Sequence, residues 1–280
     1  MPPIEPPAIT PSGAGDPPPG PPWDSALSDA PLVFVDLEMT GIDAASDRIC
    51  EVAAVRVRGG EVEGQLDSLV DPGISVGGSV RVHGIGDAQL AGKAPLSAHA
   101  DALARLLEGA VLVGHAVGFD LAFLRAAAAR GELAEPPRHA LDTRALAQRV
   151  SSGAAVGLRA LAAELGLPAP THRAMADVVT TRALFGWVAR ELRAGTPRHL
   201  YDAQDVAGPA RVRADIAAVL REAARAGRAI RLCYRVPGRA PLVEEVDLLA
   251  LELPHAEVHL RGRGERRRLR GDRILWAELV

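Results

Sequence analysis

Residues 32–41 read LVFVDLEMTG, a run of apolar side chains interrupted by two acids, Asp36 and Glu38, and closed by the turn signal Thr40-Gly41. Side chains two apart on a strand leave the same face, so both carboxylates point one way near the strand's carboxyl end. Leu32, Val33, Phe34, Val35 and Leu37 supply apolar groups to both faces, the pattern of a strand buried on both sides. The competing reading is an edge strand with two solvated acids, and the unbroken apolar run opposes it. Two carboxylates held together out of water repel and lose hydration, a cost that a cation relieves. The pair is a candidate metal site.

The pattern continues outward from this strand. ICEVAAVRV (49–57) and VEGQLDSLV (62–70) are strand-like, and Gly59-Gly60 between them signals a hairpin. Helical spacing follows over 96–110, then a short buried strand in AVLVGHA (110–116), a helix over 119–131, a short strand in HALDT (139–143), and helices over 158–166 and 173–195. Three antiparallel strands followed by alternating helix and strand predict an α/β domain, a mixed five-stranded sheet flanked by helices. A third acid, Asp120, opens the helix that follows the 110–116 strand, and a fourth, Asp177, lies in THRAMADVV, five residues after His172. Five helical residues turn through about 500°, so His172 and Asp177 cannot share a helical face. Asp177 is expected on the helix and His172 on the loop before it. Taken singly, Asp120 reads equally as a helix cap, His172 as a loop residue and Asp177 as a solvated acid; it is their joint order that points to a site.

DLEMTG, HAVGFD and HRAMAD resemble the three motifs of the DEDDh 3'-5' exonucleases, the group that includes the proofreading subunit of the bacterial replicative polymerase, ribonuclease T and oligoribonuclease. The resemblance covers residues 31–192 and includes His83-Gly84-Ile85 and Asp142-Thr143. It implies a ribonuclease-H-like fold, two Mg²⁺ or Mn²⁺ ions on Asp36, Glu38, Asp120 and Asp177, and His172 as the general base. It also implies substrate contacts from Met39, Thr40, His115 and Phe119, with core packing an equal reading for Phe119. Position 116 is Ala where the family usually has Asn, which implies altered substrate contacts. The chemistry agrees. Carboxylates suit hard divalent ions, paired ions stabilise both oxygens of an in-line phosphodiester displacement, and an imidazole takes a proton near neutral pH.

The other segments differ in character. Ten of 22 prolines fall in residues 1–22, predicting a mobile tail over 1–30 with order beginning near Pro31. The catalytic domain is expected over 31–195. Residues 196–210 lose periodicity and read as a linker. Over 211–280, one amphipathic helix precedes short strands, and AIRLCY, EEVDLL and RRRLRGDRI resemble blocks of WYL domains, implying a small SH3- or Sm-like barrel. Net charge is −8 up to residue 210 and +5 after it, giving −3 for the 280-residue chain. Seven Arg in residues 261–273 form either a solvated face or a phosphate-binding surface centred on Arg266, Arg267 and Arg268. Tyr234 and Trp276 as the barrel's rings favour backbone contact over base stacking. No apolar run reaches the ~20 residues of a membrane span. The N-terminus has no secretory pattern, and Cys50 and Cys233 lie in separate apolar runs as buried thiols, so a cytoplasmic setting is expected.

These readings favour an exonuclease acting on a nucleic acid with a 3' end, single-stranded DNA or RNA, in repair, proofreading or defence, with a DNA polymerase or another replication or repair protein as partner. A short-RNA exoribonuclease and a non-catalytic nucleic-acid or nucleotide sensor working through the barrel are the alternatives.

Overall fold

The computed structural model describes residues 15–151, 156–204, 212–235 and 240–280. In chain order the elements are β1 Leu32–Met39, β2 Ile49–Arg58, β3 Glu61–Leu69, the one-turn helices α1 Val80–His83 and α2 Asp87–Leu90, then α3 Ala100–Leu107, β4 Val111–Gly114, α4 Gly118–Ala129 and β5 Ala140–Asp142. Next come α5 Thr143–Val150, α6 Leu158–Leu165, α7 Ala174–Glu191, α8 Pro197–Gln204 and α9 Ala214–Ala226, and finally β6 Ile230–Tyr234, β7 Leu242–Glu252, β8 His255–Leu260, β9 Glu265–Arg270 and β10 Ile274–Leu279. Two compact units form: Met1–Arg144 with Gly157–Phe185, and Ala145–Val156 with Gly186–Val280.

The first unit holds a mixed sheet of order β3-β2-β1-β4-β5. β1 runs antiparallel to β2 and parallel to β4, so it is the strand at which direction changes. On one face of β1, Val33, Val35 and Leu37 are buried against α3 and α4, and on the other Phe34 meets Phe185 of α7 edge-on at 5.4 Å. In an open α/β sheet, ligands gather beyond the carboxyl ends of the parallel strands at such a switch point, which is where Asp36 and Glu38 stand. β1 pairs with β4 only from Leu32 to Phe34 and then overshoots it. Gly114 ends β4 at a tight approach: a Cβ there would lie 2.7 Å from Val117 Cγ2 and 3.3 Å from the Val35 carbonyl oxygen. Leu103, Leu106, Leu121, Phe123 and Leu124 from α3 and α4 close the core beneath.

The second unit carries an antiparallel sheet of order β10-β6-β7-β8-β9, consistent with a small barrel-like domain. α9 packs Ile216, Leu220 and Ala223 against it. Arg213, 4% exposed, ties the unit internally by donating to the carbonyls of Leu192 at 2.9 Å and Leu275 at 2.8 Å while pairing with Asp215.

Two expectations need correction. Order begins before Pro31: Trp23 is buried and meets the His139 ring edge-on at 6.2 Å, and Ala30 is buried. One indole buries enough area to hold an otherwise turn-rich segment, a contact that a proline count hides. The remainder of the expected tail, residues 1–14, lies outside the described residues. The stretch read as a linker contains a two-turn helix, α8, with Pro197 at its first position, where proline costs no hydrogen bond; residues 205–211 lie outside the described residues. Cys50 and Cys233 are buried free thiols. Among the described residues no helix is long and apolar enough to cross a membrane.

Candidate active site

Four carboxylates from three elements converge at the carboxyl end of β1. Asp36 and Glu38 leave β1 on one face, each partly buried. Asp120, 6% exposed, stands in the first turn of α4, and its Oδ1 accepts the Leu37 amide at 3.1 Å. That amide lies beyond the last β1–β4 pair, so Asp120 both satisfies it and is pinned beside β1. Asp177, 7% exposed, lies in the first turn of α7, its Oδ1 accepting the Thr171 amide at 2.9 Å.

Burial raises the pKa of all four, and repulsion among them adds to it at Asp36 and Glu38. Asp36 is driven well above the carboxylate range by burial, then by Asp120, Glu38, Asp177 and Glu51. Burial, followed by Asp177, Glu51 and Asp120, pushes Glu38 up to about 8, with Arg173 acting weakly against it. Asp120 is raised to about 8, chiefly by burial, and Asp177 is raised by burial against its amide hydrogen bonds. Among the described residues no three His, Cys, Asp or Glu side chains already meet as a ligand cluster; the four acids feel one another without being drawn together. As a donor set they nonetheless fit a hard divalent cation, all oxygen, with Arg173 and Arg159 offsetting only part of the burial cost at Glu38 and Asp177.

His172 sits on the loop before α7, exposed, with φ 56° in the left-handed region. Its backbone and ring both act to lower the Asp177 carboxyl against burial, which puts His172 next to that acid. Of the other residues singled out from sequence, Thr40 is buried and structural. Its hydroxyl donates to Asp47 at 3.1 Å and accepts the Arg48 amide at 3.0 Å, closing the loop after β1. Gly41 is required there, since a Cβ would lie 2.3 Å from the Asp47 carboxylate. Met39 is 6% exposed and belongs to the core, its carbonyl facing Nε2 of His83 at 3.3 Å. His83 Nδ1 accepts the Ile85 amide at 3.1 Å, so Nε2 carries the proton donated to Met39. Phe119 is partly exposed and packs edge-on against Phe123 at 5.3 Å. His115 Nδ1 lies 3.0 Å from the Thr143 hydroxyl.

The turn carrying His115 is held by residues beyond the four acids. Asp142 Oδ1 accepts the amides of Ala116 and Arg144, both at 2.9 Å, and Ala116 takes φ 59°. Asn tolerates that conformation better than Ala, a backbone reason for the residue usual in the family. Sequence reasoning passed over Glu51 and Arg173. Glu51 is 2% exposed on β2 opposite Glu38 and pairs with Arg173 at 2.6 Å. The signal was available: one acid in the apolar run ICEVAAV, and an arginine directly after His172.

The basic residues of the second unit are arranged differently. Arg266, Arg267 and Arg268 lie exposed on the edge strand β9, where charge discourages edge-to-edge pairing. Arg267 pairs with Glu265 at 2.6 Å, whereas Arg266 and Arg268 have no ion pair among the described residues. Trp276 is buried beneath the Arg193 guanidinium, 3.6 Å from its ring centroid, and offers no open stacking face.

Comparison with known proteins bears on family and fold. The family described as Exonuclease (RNase_T) matches residues 33–185, which include all five acid and histidine positions. A Rhodobacter capsulatus protein named DNA polymerase III subunit epsilon-like protein is 38% identical over 179 residues, covering 58% of this chain and 25% of that protein. A Thermotoga maritima protein named DNA polymerase III PolC-type is 30% identical over 164 residues, covering 58% and 12%. The chain thus spans about a quarter or less of the length of these relatives. In fold, it is similar to E. coli exonuclease I in a zinc-bound complex with single-stranded DNA, with a TM-score of 0.54 at 17% identity over 82% of this chain and 54% of that one. With the family matched over more than half its length, and with Asp36, Glu38, Asp120, His172 and Asp177 in the DEDDh order, the chain belongs to the exonuclease family.

Proposed function

We propose that the chain is a divalent-cation-dependent 3'-5' exonuclease that removes nucleoside 5'-monophosphates from a single-stranded end, with DNA as the favoured substrate. The observation that carries this reading is the convergence of four pKa-raised carboxylates beside an exposed loop histidine at the sheet's switch point. Asp36, Glu38, Asp120 and Asp177 would hold Mg²⁺ or Mn²⁺, which supplies charge for both the attacking and the leaving oxygen of an in-line displacement. His172 takes the proton of the attacking water as its oxygen bonds to phosphorus. The bond to the 3' oxygen of the penultimate nucleotide breaks, and that oxygen takes a proton from solvent, leaving a free 3' hydroxyl and a 5'-monophosphate. His115 and the exposed part of Phe119 border the terminal nucleotide, while Thr40 and Met39 shape the wall behind it through the backbone.

DNA is favoured because the polymerase III names of the relatives and the single-stranded DNA of the structural neighbour converge on it. The same names support a replication or repair protein as partner. We retain the division into a catalytic domain over 31–195 and a WYL-like domain over 211–280, whose Arg266 and Arg268 add phosphate contacts on long substrates. Parallel digestion of end-labelled single-stranded DNA, duplex DNA and a short RNA, with Mg²⁺ or Mn²⁺, tests the reading. It predicts a ladder shortening from the 3' end, fastest on single-stranded DNA; a ladder from the 5' end, or none on any substrate, contradicts it.

A further inference from the structure

The His172 backbone is held from both sides, and one of the holding groups lies outside the four acids. A residue with a Cβ at φ 56° is strained and keeps that conformation only when its surroundings over-determine it. His172 is exposed, so packing of its own ring does not do this. The peptide before it is fixed by the Thr171 amide on Asp177. The residues after it are held by the Asp177 amide on the Arg173 carbonyl at 3.0 Å and, through side chain and amide, by Glu51. Arg173 Nε lies 3.0 and 3.2 Å from its two oxygens, Arg173 Nη2 lies 2.6 Å from Oε1, and the Ala174 amide donates to Oε2 at 2.9 Å. One buried carboxylate on β2 thus clamps the side chain of one residue and caps the first amide of α7 at the next.

We propose that Glu51, through Arg173 and Ala174, is a positioning residue that aims the His172 imidazole at the carboxylate site. This rests on the reading of His172 as the general base. Glu51 stands opposite Glu38 across the β1–β2 ladder, so the clamp is referenced to the strand that carries the acids. Both of its oxygens already accept hydrogen bonds from Arg173 and Ala174, which distinguishes it from the four acids around it. The β1–β2 register slips directly after this pair, from Glu38 opposite Glu51 to Met39 opposite Ile49, a bulge of the kind that re-aims side chains next to sites.

The test is a double-mutant cycle with metal present, comparing wild type, Glu51→Gln, His172→Ala and the double variant. Glu51→Gln keeps an acceptor for the Ala174 amide and removes the charge that holds Arg173. It should lower kcat on the order of 10²-fold, the scale of a small misplacement of a reacting group, with KM nearly unchanged. In the His172→Ala background the same substitution should cost less than about twofold, because the group it positions is gone. Arg173→Lys keeps the charge but loses the two-point grip, and should show the same pattern more weakly, which covers the case in which Glu51→Gln does not fold. A defect of equal size in both backgrounds, or an unchanged kcat in Glu51→Gln and Arg173→Lys, overturns the inference while leaving the base assignment standing. Full activity in His172→Ala removes both.

Discussion

The two charged regions of this chain are built on opposite terms. At the carboxyl end of β1, four acids are partly or fully buried, with their carboxyls raised by burial and, at Asp36 and Glu38, by one another, and nearby cationic side chains offset only part of this. On the second unit's sheet, the arginines are exposed and several are paired locally: Arg261 with Asp247, Arg263 with Glu244, Arg267 with Glu265 and Arg270 with Asp272. Exposed pairs are screened and contribute little. Buried like charges raise the energy of the folded state and persist where a ligand offsets them. The contrast teaches that charge density in sequence is a poor guide to a site; burial without compensation is a better one. The seven arginines in 261–273 catch the eye more readily than four scattered acids, yet it is the acids that converge.

The largest effect should come from the acids. Asp36→Ala or Asp177→Ala should reduce nuclease activity to assay background, while the metal-free variant melts no lower than wild type, because each removes a member of a repelling set. Activity near wild type in either would erase the distinction between the regions. His172→Ala should lower turnover by on the order of 10²- to 10⁴-fold with Mn²⁺ binding unchanged, as for a lost base and not a lost ligand; single-turnover digestion and calorimetry separate the two. In the basic region, Arg266→Ala and Arg268→Ala should each reduce the salt slope of long-substrate binding by up to about one unit, and Arg267→Ala by less, since Glu265 already neutralises it. Equal slopes for all three, measured by titration at several salt concentrations, would show that local pairing does not matter there.

Stability against pH sharpens the comparison from the acid side. A raised folded-state pKa means the folded protein binds more protons than the unfolded chain between the ordinary carboxylate range and about 8. The contribution of these acids to the metal-free protein's stability should therefore be greatest below that window and be lost as pH rises through it to about 8. Asp36→Asn should flatten the trend, measured by thermal melts across pH. The smallest effect expected is at Ala116, where Gly relieves the left-handed backbone and should add about 1 kcal/mol of stability.

Much of the site was legible because its signal is local: two acids spaced by two on a strand, an acid at a helix start, a histidine on a loop that cannot share the helix face of Asp177. The antiparallel start and the mixed sheet followed from hairpin glycines and alternating elements, whereas the strand order did not. What escaped depends on contacts between distant residues. Glu51 and Arg173 are 122 positions apart and meet only when β2 passes beneath the start of α7. Trp23 looked like part of a proline-rich tail because its partner, His139, is far along the chain. α8 was hidden because PRHLYDAQ has few apolar residues, although Leu200 and Ala203 are buried. Thr40 and Met39 were expected to contact substrate, whereas the loop closure by Asp47 and the core beneath β1 hold their side chains inside.

The central claim is that the four buried acids form a divalent-cation site, and calorimetric titration of Mn²⁺ into the metal-free protein in buffers of different ionisation enthalpy tests it most directly. A cation binds the deprotonated carboxylates, so with Glu38 and Asp120 titrating near 8 each binding event at pH 7 should release at least about one proton. The release should shrink at pH 9, and binding should weaken sharply in Asp36→Asn. Binding without proton release, or binding of equal strength in Asp36→Asn, would contradict the claim.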